Sequence, residues 1–308
     1  MVGNNDRREF LKLVGIITAQ AALGGRLSAF SSTIPNFSEE QKVTTMAVAK
    51  GASPSKVTIA AIEALGGISK FISRGDVVLL KPNMSWDRRP EQAANTHPEV
   101  VAAIVELCLT AGAKKVKVVD NSINDARRCY KRSGIADAAR KAGAEVEFPD
   151  LRKFREMDLK GEVLHRWPVY RDALESDKLI NIPIAKHHNL CRLTMSMKNW
   201  IGMVGGRRNR LHQQIHKCIA DLSSFFRPTL TVMDASRILV ENGPQGGSLK
   251  YVKKMDTIIA STDQIAVDSY GATLFGLRGE DIGYIKIGHQ RGLGQMELQK
   301  VNIIETKA

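Results

Sequence analysis

Gly75-Asp76-Val77-Val78-Leu79-Leu80-Lys81-Pro82-Asn83 is the stretch that decides the fold. Its apolar run is short, bounded by turn formers, and has no polar alternation. That is how a strand buried on both faces of a parallel sheet reads. Upstream, Met46 to Val48 reads as a short strand and Pro54 to Leu65 as a helix. Ser53 is the N-cap, Pro54 stands at N1, and Gly66-Gly67 ends the turn. Downstream, Thr96-His97-Pro98-Glu99 reads as a capping box from Thr96 to Glu99, opening a helix that stops at Gly112. Val116 to Val119 is the next strand and delivers Asp120 at its end. A helix from Ile135 to Ala142 is stopped by Gly143, and residues 145–148 resume the sheet.

A second round begins near Lys178. Strands are expected at Leu179–Ile182, Leu230–Met233 and Thr257–Ala260, with helices at Leu211–Phe226 and Asp263–Phe275. Strands alternating with helices across short glycine-punctuated links predict an α/β fold with a mostly parallel, helix-covered sheet. The expected division is a first α/β half at 43–150, an irregular connection or hairpin at 151–177, and a second α/β half at 178–308, around a central cleft.

Of 308 residues, 43% are hydrophobic and 25% charged, so a packed globular chain is expected rather than a disordered one. Lysine and arginine exceed aspartate and glutamate by 13, and the pI is about 9.6. Such a balance suits an acidic partner, an anionic ligand or a lipid surface. The four cysteines, Cys108, Cys129, Cys191 and Cys218, are scattered, so clustered zinc and iron–sulfur motifs are missing. No Gly-x-Ser-x-Gly elbow, Walker loop or dinucleotide fingerprint occurs.

The N-terminus reads as an export signal. Asp6-Arg7-Arg8-Glu9-Phe10-Leu11-Lys12 precedes a weakly apolar stretch from Leu13 to Gly25, then small residues around Ala29. This order matches a secretory signal, and the paired arginines match its twin-arginine variant. The apolar stretch is too short for a membrane span of about 20 residues. Cleavage after Gly24, Ala29 or Ser31 fits equally, and residues 32–42 read as a linker. The expected location is therefore the periplasm, reached through the twin-arginine translocase. Loss of residues 1–31 removes Arg7, Arg8, Lys12 and Arg26 against Asp6 and Glu9, so the mature chain stays basic. A periplasmic destination and few aromatic residues argue against nucleic acid as the partner.

Several polar segments stand out as a set: Lys81-Pro82-Asn83, Thr96-His97-Pro98, Asp120, His187-His188, Met197-Lys198-Asn199-Trp200-Ile201-Gly202, Leu211-His212 and Gly243-Pro244-Gln245-Gly246-Gly247. Together they resemble the family called domain of unknown function 362, in its twin-arginine-exported form. The resemblance runs from about Met46 to Gly294. It implies that these motifs share one site, and it supplies no reaction. Some relatives carry a ferredoxin-like segment with clustered cysteines; this chain departs from them there.

Ligands of open α/β sheets sit beyond the carboxyl ends of the strands. Lys81 and Asn83, Asp120, His187-His188 and Asp234 all follow expected strands, so they are expected on one rim. Lys81, Asn83, Asp120, Lys198 and Asn199 are the candidate catalytic residues. Gly205-Gly206-Arg207-Arg208 and Arg210, a glycine-freed backbone beside guanidiniums, suit a phosphate, a carboxylate or an anionic cofactor. His97, His188 and His212 are the candidate ligands of a divalent metal, with His212 and His216 one helical turn apart. Gly243 to Gly247 reads as a lip on the site or as a plain tight loop, and Asp268 as a buried, paired carboxylate. Two functions fit this pattern. One is an exported metal- or anionic-cofactor-dependent enzyme with redox-linked chemistry. The other is a non-catalytic periplasmic protein that binds an anionic small molecule or assists assembly of a redox partner complex.

Overall fold

The computed structural model describes residues 43–308, and the expected signal and linker lie outside that range. The chain starts on β1 (Thr45–Lys50), followed by α1 (Pro54–Ala64), β2 (Val77–Pro82), α2 (Pro98–Thr110) and β3 (Lys115–Val118). Two short helices, α3 (Ala126–Arg132) and α4 (Ile135–Lys141), lead to β4 (Glu145–Val146). The region expected to be irregular holds an antiparallel hairpin of β5 (Phe154–Asp158) and β6 (Arg166–Tyr170), then α5 (Asp172–Glu175). The order continues with β7 (Lys178–Ile182), β8 (Ile184–His188), β9 (Arg192–Thr194), α6 (Ser196–Asn199) and α7 (Ile215–Phe225). It closes with β10 (Leu230–Leu239), β11 (Val252–Ser261), α8 (Gln264–Thr273), α9 (Gly283–Gln290) and β12 (Asn302–Lys307).

One mixed sheet runs in the order β12-β1-β11-β10-β7-β2-β3-β4, with β8 also beside β10 and β9 beyond it. The pairs from β10 through β7, β2 and β3 to β4 are parallel, while β11 runs antiparallel to both its neighbours. The fold is α/β, as the alternating pattern implies. The expected two rounds are nevertheless not two halves of the sheet. β1 lies between β11 and β12 from the far end of the chain, and residues 43–308 form one compact unit.

The rounds separate by face instead. Val78 and Leu80 of β2 join Val57 and Ile62 of α1, Val100 and Ile104 of α2, and Ile135 of α4 in one core. Leu79, between them, points to the other core, shared with Ile219 of α7, Ile265 of α8 and Trp200. Successive side chains of a strand face opposite ways, so a strand clad by helices on both sides must be apolar throughout. Early helices cover one face and late helices the other.

Four local readings change. His97, not Thr96, caps α2, its ring Nδ1 accepting from Glu99 N at 3.3 Å. Thr96 instead ties β2 to β7, accepting from Asn83 N and donating to Ile182 O. The helix expected from Leu211 starts at Ile215, leaving His212 in a 3-10 turn. β10 continues through Leu239, so Asp234 lies inside a strand rather than at its end, and His187-His188 belong to β8 itself.

Candidate functional site

The carboxyl ends of β2 and β3 and the single turn α6 meet around Lys81. Its ammonium donates to Asp120 Oδ1 at 2.8 Å, Asn199 Oδ1 at 2.9 Å and Pro82 O at 2.9 Å, which uses all three protons. Asp120 is equally bound: Oδ2 accepts from Met84 N at 2.6 Å. Asn199 returns its amide to Lys81 O and Asn181 Oδ1, and Asn83 donates to Asn199 Oδ1 at 3.2 Å. Lys81 and Asp120 are 1% and 0% exposed. Burial pulls the Lys81 amine below its usual range, and the Asp120 carboxylate counters that pull. The pair therefore forms a sealed floor whose charges are spent on one another and on neighbouring protein groups.

Above this floor lies a cavity of about 280 Å³ whose lining includes Asn83, Lys186, His188, Lys198, Arg208 and His212. Trp86, Ile123, Ile201 and Pro244 supply apolar wall. Sequence reasoning missed Lys186, which sits one residue from the histidine pair it singled out. The signal was a lysine inside the apolar strand β8, where only a satisfied or functional charge is tolerated. Its ammonium reaches Asn83 Oδ1 at 3.3 Å and Ala94 O, and desolvation drives its pKa well below the ordinary value. Lys198 is 9% exposed, lines the cavity and has no hydrogen-bond partner among the described residues. Its pKa is lowered, first by burial and further by Arg208, with the Cys191 thiol opposing. Arg208 is anchored by Asn121 O and by Ser122 O, the latter at 2.7 Å, which holds its charge at the cavity wall.

The two cavity histidines are held in opposite tautomers. His188 Nδ1 accepts from Leu190 N at 3.1 Å, so in the neutral ring Nε2 carries the proton. Desolvation, with Lys198 and Lys186 nearby, pushes its pKa down to about 2, so the ring is neutral over the working range. His212 Nδ1 stands 3.1 Å from Asn209 O, and since a carbonyl only accepts, that nitrogen carries the proton. His212 thus offers a free lone pair at Nε2 and His188 offers an N–H. Their rings lie nearly parallel, 6.4 Å between centroids.

The expected three-histidine metal centre is not assembled. His97 lines a different cavity, with Ser53, Glu99, Arg237 and Lys254, and its main-chain N–H donates to Asp234 Oδ2. His188 presents the wrong tautomer for a metal at Nε2, since ligating histidines donate from their second nitrogen. Among the described residues no group of three or more His, Cys, Asp or Glu side chains could hold a metal ion. His216 stacks on Tyr284 instead of sharing a face with His212.

The basic loop divides as well. Gly205 and Gly206 seat the β5–β6 hairpin: Gly205 accepts from Trp167 Nε1, and a Cβ there would stand 2.9 Å from Phe154. Arg210 lines a separate cavity beside Trp167 and Gln213, Arg207 is exposed, and Arg208 alone of the five reaches the cationic cavity. Asp234 is fully engaged by His97 N, Ser236 N and Ser236 Oγ. Pro244 does line the cavity, so the Gly243–Gly247 segment contributes to its wall, and Gly243 N donates to His187 Nδ1. Asp268, fully buried, accepts from Ser196 N at 2.7 Å and Met197 N at 3.0 Å, which holds the turn that carries Lys198 and Asn199. Burial pushes its pKa up to about 7 against those two N–H groups. All four cysteines are free and buried, with pKa values raised by desolvation to about 12 for Cys108 and about 11 for the others.

Residues 78–273 match the family model described as a domain of unknown function, DUF362, and this span contains the floor and the polar cavity lining. The chain belongs to the DUF362 family. A thylakoid-associated protein of Synechocystis sp. is 29% identical over 216 residues, which is 67% of this chain and 65% of that protein. Among solved structures, the lactate racemase apoprotein of Thermoanaerobacterium thermosaccharolyticum is similar at TM-score 0.45 and 10% identity, covering 72% of this chain and 55% of that one. A Thermotoga maritima protein is similar at TM-score 0.40 and 10% identity, covering 78% and 60%. No reaction follows from likeness at this level. Among the described residues no helix is long and apolar enough to cross a membrane.

Proposed function

We propose that this DUF362 protein is an exported enzyme whose cavity takes an anionic small molecule or an anionic cofactor. The observation that carries this reading is the charge balance of the cavity. Lys186, Lys198 and Arg208 line it, and the neighbouring carboxylate, Asp120, is already engaged by Lys81. Several cations brought together under desolvation repel one another, and a bound anion relieves that repulsion. The apolar side formed by Trp86, Ile123, Ile201 and Pro244 favours an acid with a short hydrocarbon or ring body. His212 with a free Nε2 and His188 with an Nε2–H supply a proton acceptor and a hydrogen-bond donor, the equipment of acid–base chemistry. Export rests on Arg7-Arg8 and the segment after them. If the thylakoid association of the Synechocystis relative extends to this chain, its basic balance suits work beside a membrane surface.

Calorimetric titration with inorganic phosphate and with benzoate tests the cavity. Saturable binding of either anion that is lost in Lys198→Ala and Arg208→Ala supports the reading, and failure of both anions to bind ends it. Export is tested separately by fractionating cells that express Arg7→Lys/Arg8→Lys. The doubly substituted chain should stay in the cytoplasm, and unchanged delivery to the periplasm removes the twin-arginine route.

A further inference from the structure

The three buried lysines of the site are not equivalent. Lys81 directs its protons to Asp120, Asn199 and a carbonyl, and Lys186 directs two to Asn83 and Ala94 O. Lys198 has no such bond among the described residues, is only 9% exposed, and faces the cavity directly. A lysine placed only to attract an anion would do best as a solvated or ion-paired ammonium. Lys198 is desolvated and lacks a carboxylate partner, and the charged groups near it, Arg208 and Lys186, are cations. Desolvation beside another cation is the setting that turns a lysine into a neutral nucleophile.

We propose that Lys198 forms an imine with a carbonyl-bearing acid, so that the ligand class is a 2-oxo acid. This rests on the anion reading above and deepens it. The carboxylate of such a ligand meets Lys186 and Arg208, and its carbonyl carbon meets Nζ of Lys198. The amine lone pair forms the C–N bond while the carbonyl π pair moves to oxygen. The surplus proton on nitrogen passes to Nε2 of His212 and on to that oxygen, giving the neutral carbinolamine. The carbinolamine then loses its hydroxyl as water: the remaining N–H proton passes by way of His212 to the hydroxyl, His188 Nε2–H hydrogen-bonds the departing oxygen, and the nitrogen lone pair forms C=N. One water is released for each imine formed, and nothing is oxidised or reduced.

The test is reductive trapping on the full chain with pyruvate and with glyoxylate, each in the presence of cyanoborohydride. Intact-mass measurement and peptide mapping follow. The expected result is one adduct per chain, mapped to Lys198, suppressed by excess inorganic phosphate and absent from a Lys198→Arg chain with an unchanged circular dichroism spectrum. Adducts spread over surface lysines, or none at all, overturn the imine. If phosphate still binds in that case, the anion reading stands without it; if phosphate also fails to bind, both fall. Because the adduct is mapped on the unsubstituted chain, the outcome holds whether or not Lys198→Arg folds.

Discussion

Gly202 and Asp120 approach so closely that a methyl group on the glycine would stand 1.9 Å from Asp120 Oδ1 and 2.6 Å from Lys81 Nζ. The glycine of the Lys198-Asn199-Trp200-Ile201-Gly202 motif is therefore there for space. It lets the cavity wall close onto the buried ion pair, and its carbonyl accepts from Asn121 N at 2.9 Å.

Gly202→Ala should accordingly destabilise well beyond its lost backbone freedom. Overpacking alone costs about 1–3 kcal/mol, and displacing the buried pair adds to that. A shift of the urea midpoint by less than the equivalent of about 1 kcal/mol would mean that the wall can move aside.

Lys81→Met and Asp120→Leu should each cost about 3–5 kcal/mol, since each strands an uncompensated buried charge. The double variant should cost less than the sum, because removing both charges also removes their desolvation. A denaturant double-mutant cycle measures this, and additive losses would show that the two residues act independently.

Stability should rise with pH on the acid side. His188 has a native pKa of about 2 against an ordinary 6.5, so between those values the unfolded chain binds one proton more than the native one. Stability then increases with pH through that window, by up to about 1.4 kcal/mol per unit from this group, and levels off above about 6.5. His188→Gln should flatten the slope between about pH 4 and 6.5 in thermal melts. An equally steep slope in the variant would assign the effect to other groups.

Asp268→Ala leaves two backbone N–H groups of α6 unpaired and should cost about 1–3 kcal/mol. It should also weaken phosphate binding although Asp268 does not line the cavity, because the turn it holds carries Lys198. Unchanged phosphate affinity with reduced stability would make the residue structural only.

The apolar run Val77–Leu80 and the cap at Ser53 were legible because they are local. Buried strands must be apolar, and orphan N–H groups need acceptors within a few residues. Convergence of Lys81, Asp120, Lys198 and Asn199 was also foreseeable, since strand ends of an open sheet meet on one rim. The roles were not. Lys81 and Asp120 were expected to act on a ligand, yet they lie beneath the cavity, while Lys186 belongs to its wall. His97 was diverted by a cap and by Asp234, and Gly205-Gly206 by a hairpin that passes over them.

By itself the chain's order of residues determined the α/β class, the elements near Lys81 and the basic, cation-rich character of the molecule. Tertiary structure alone decided which cations stay unpaired and which glycine makes room for an ion pair. Those properties depend on groups far apart in the chain, such as Gly202 with Asp120 and Lys81 with Asn199. Residue type and spacing carry no information about a partner that arrives only when the sheet closes.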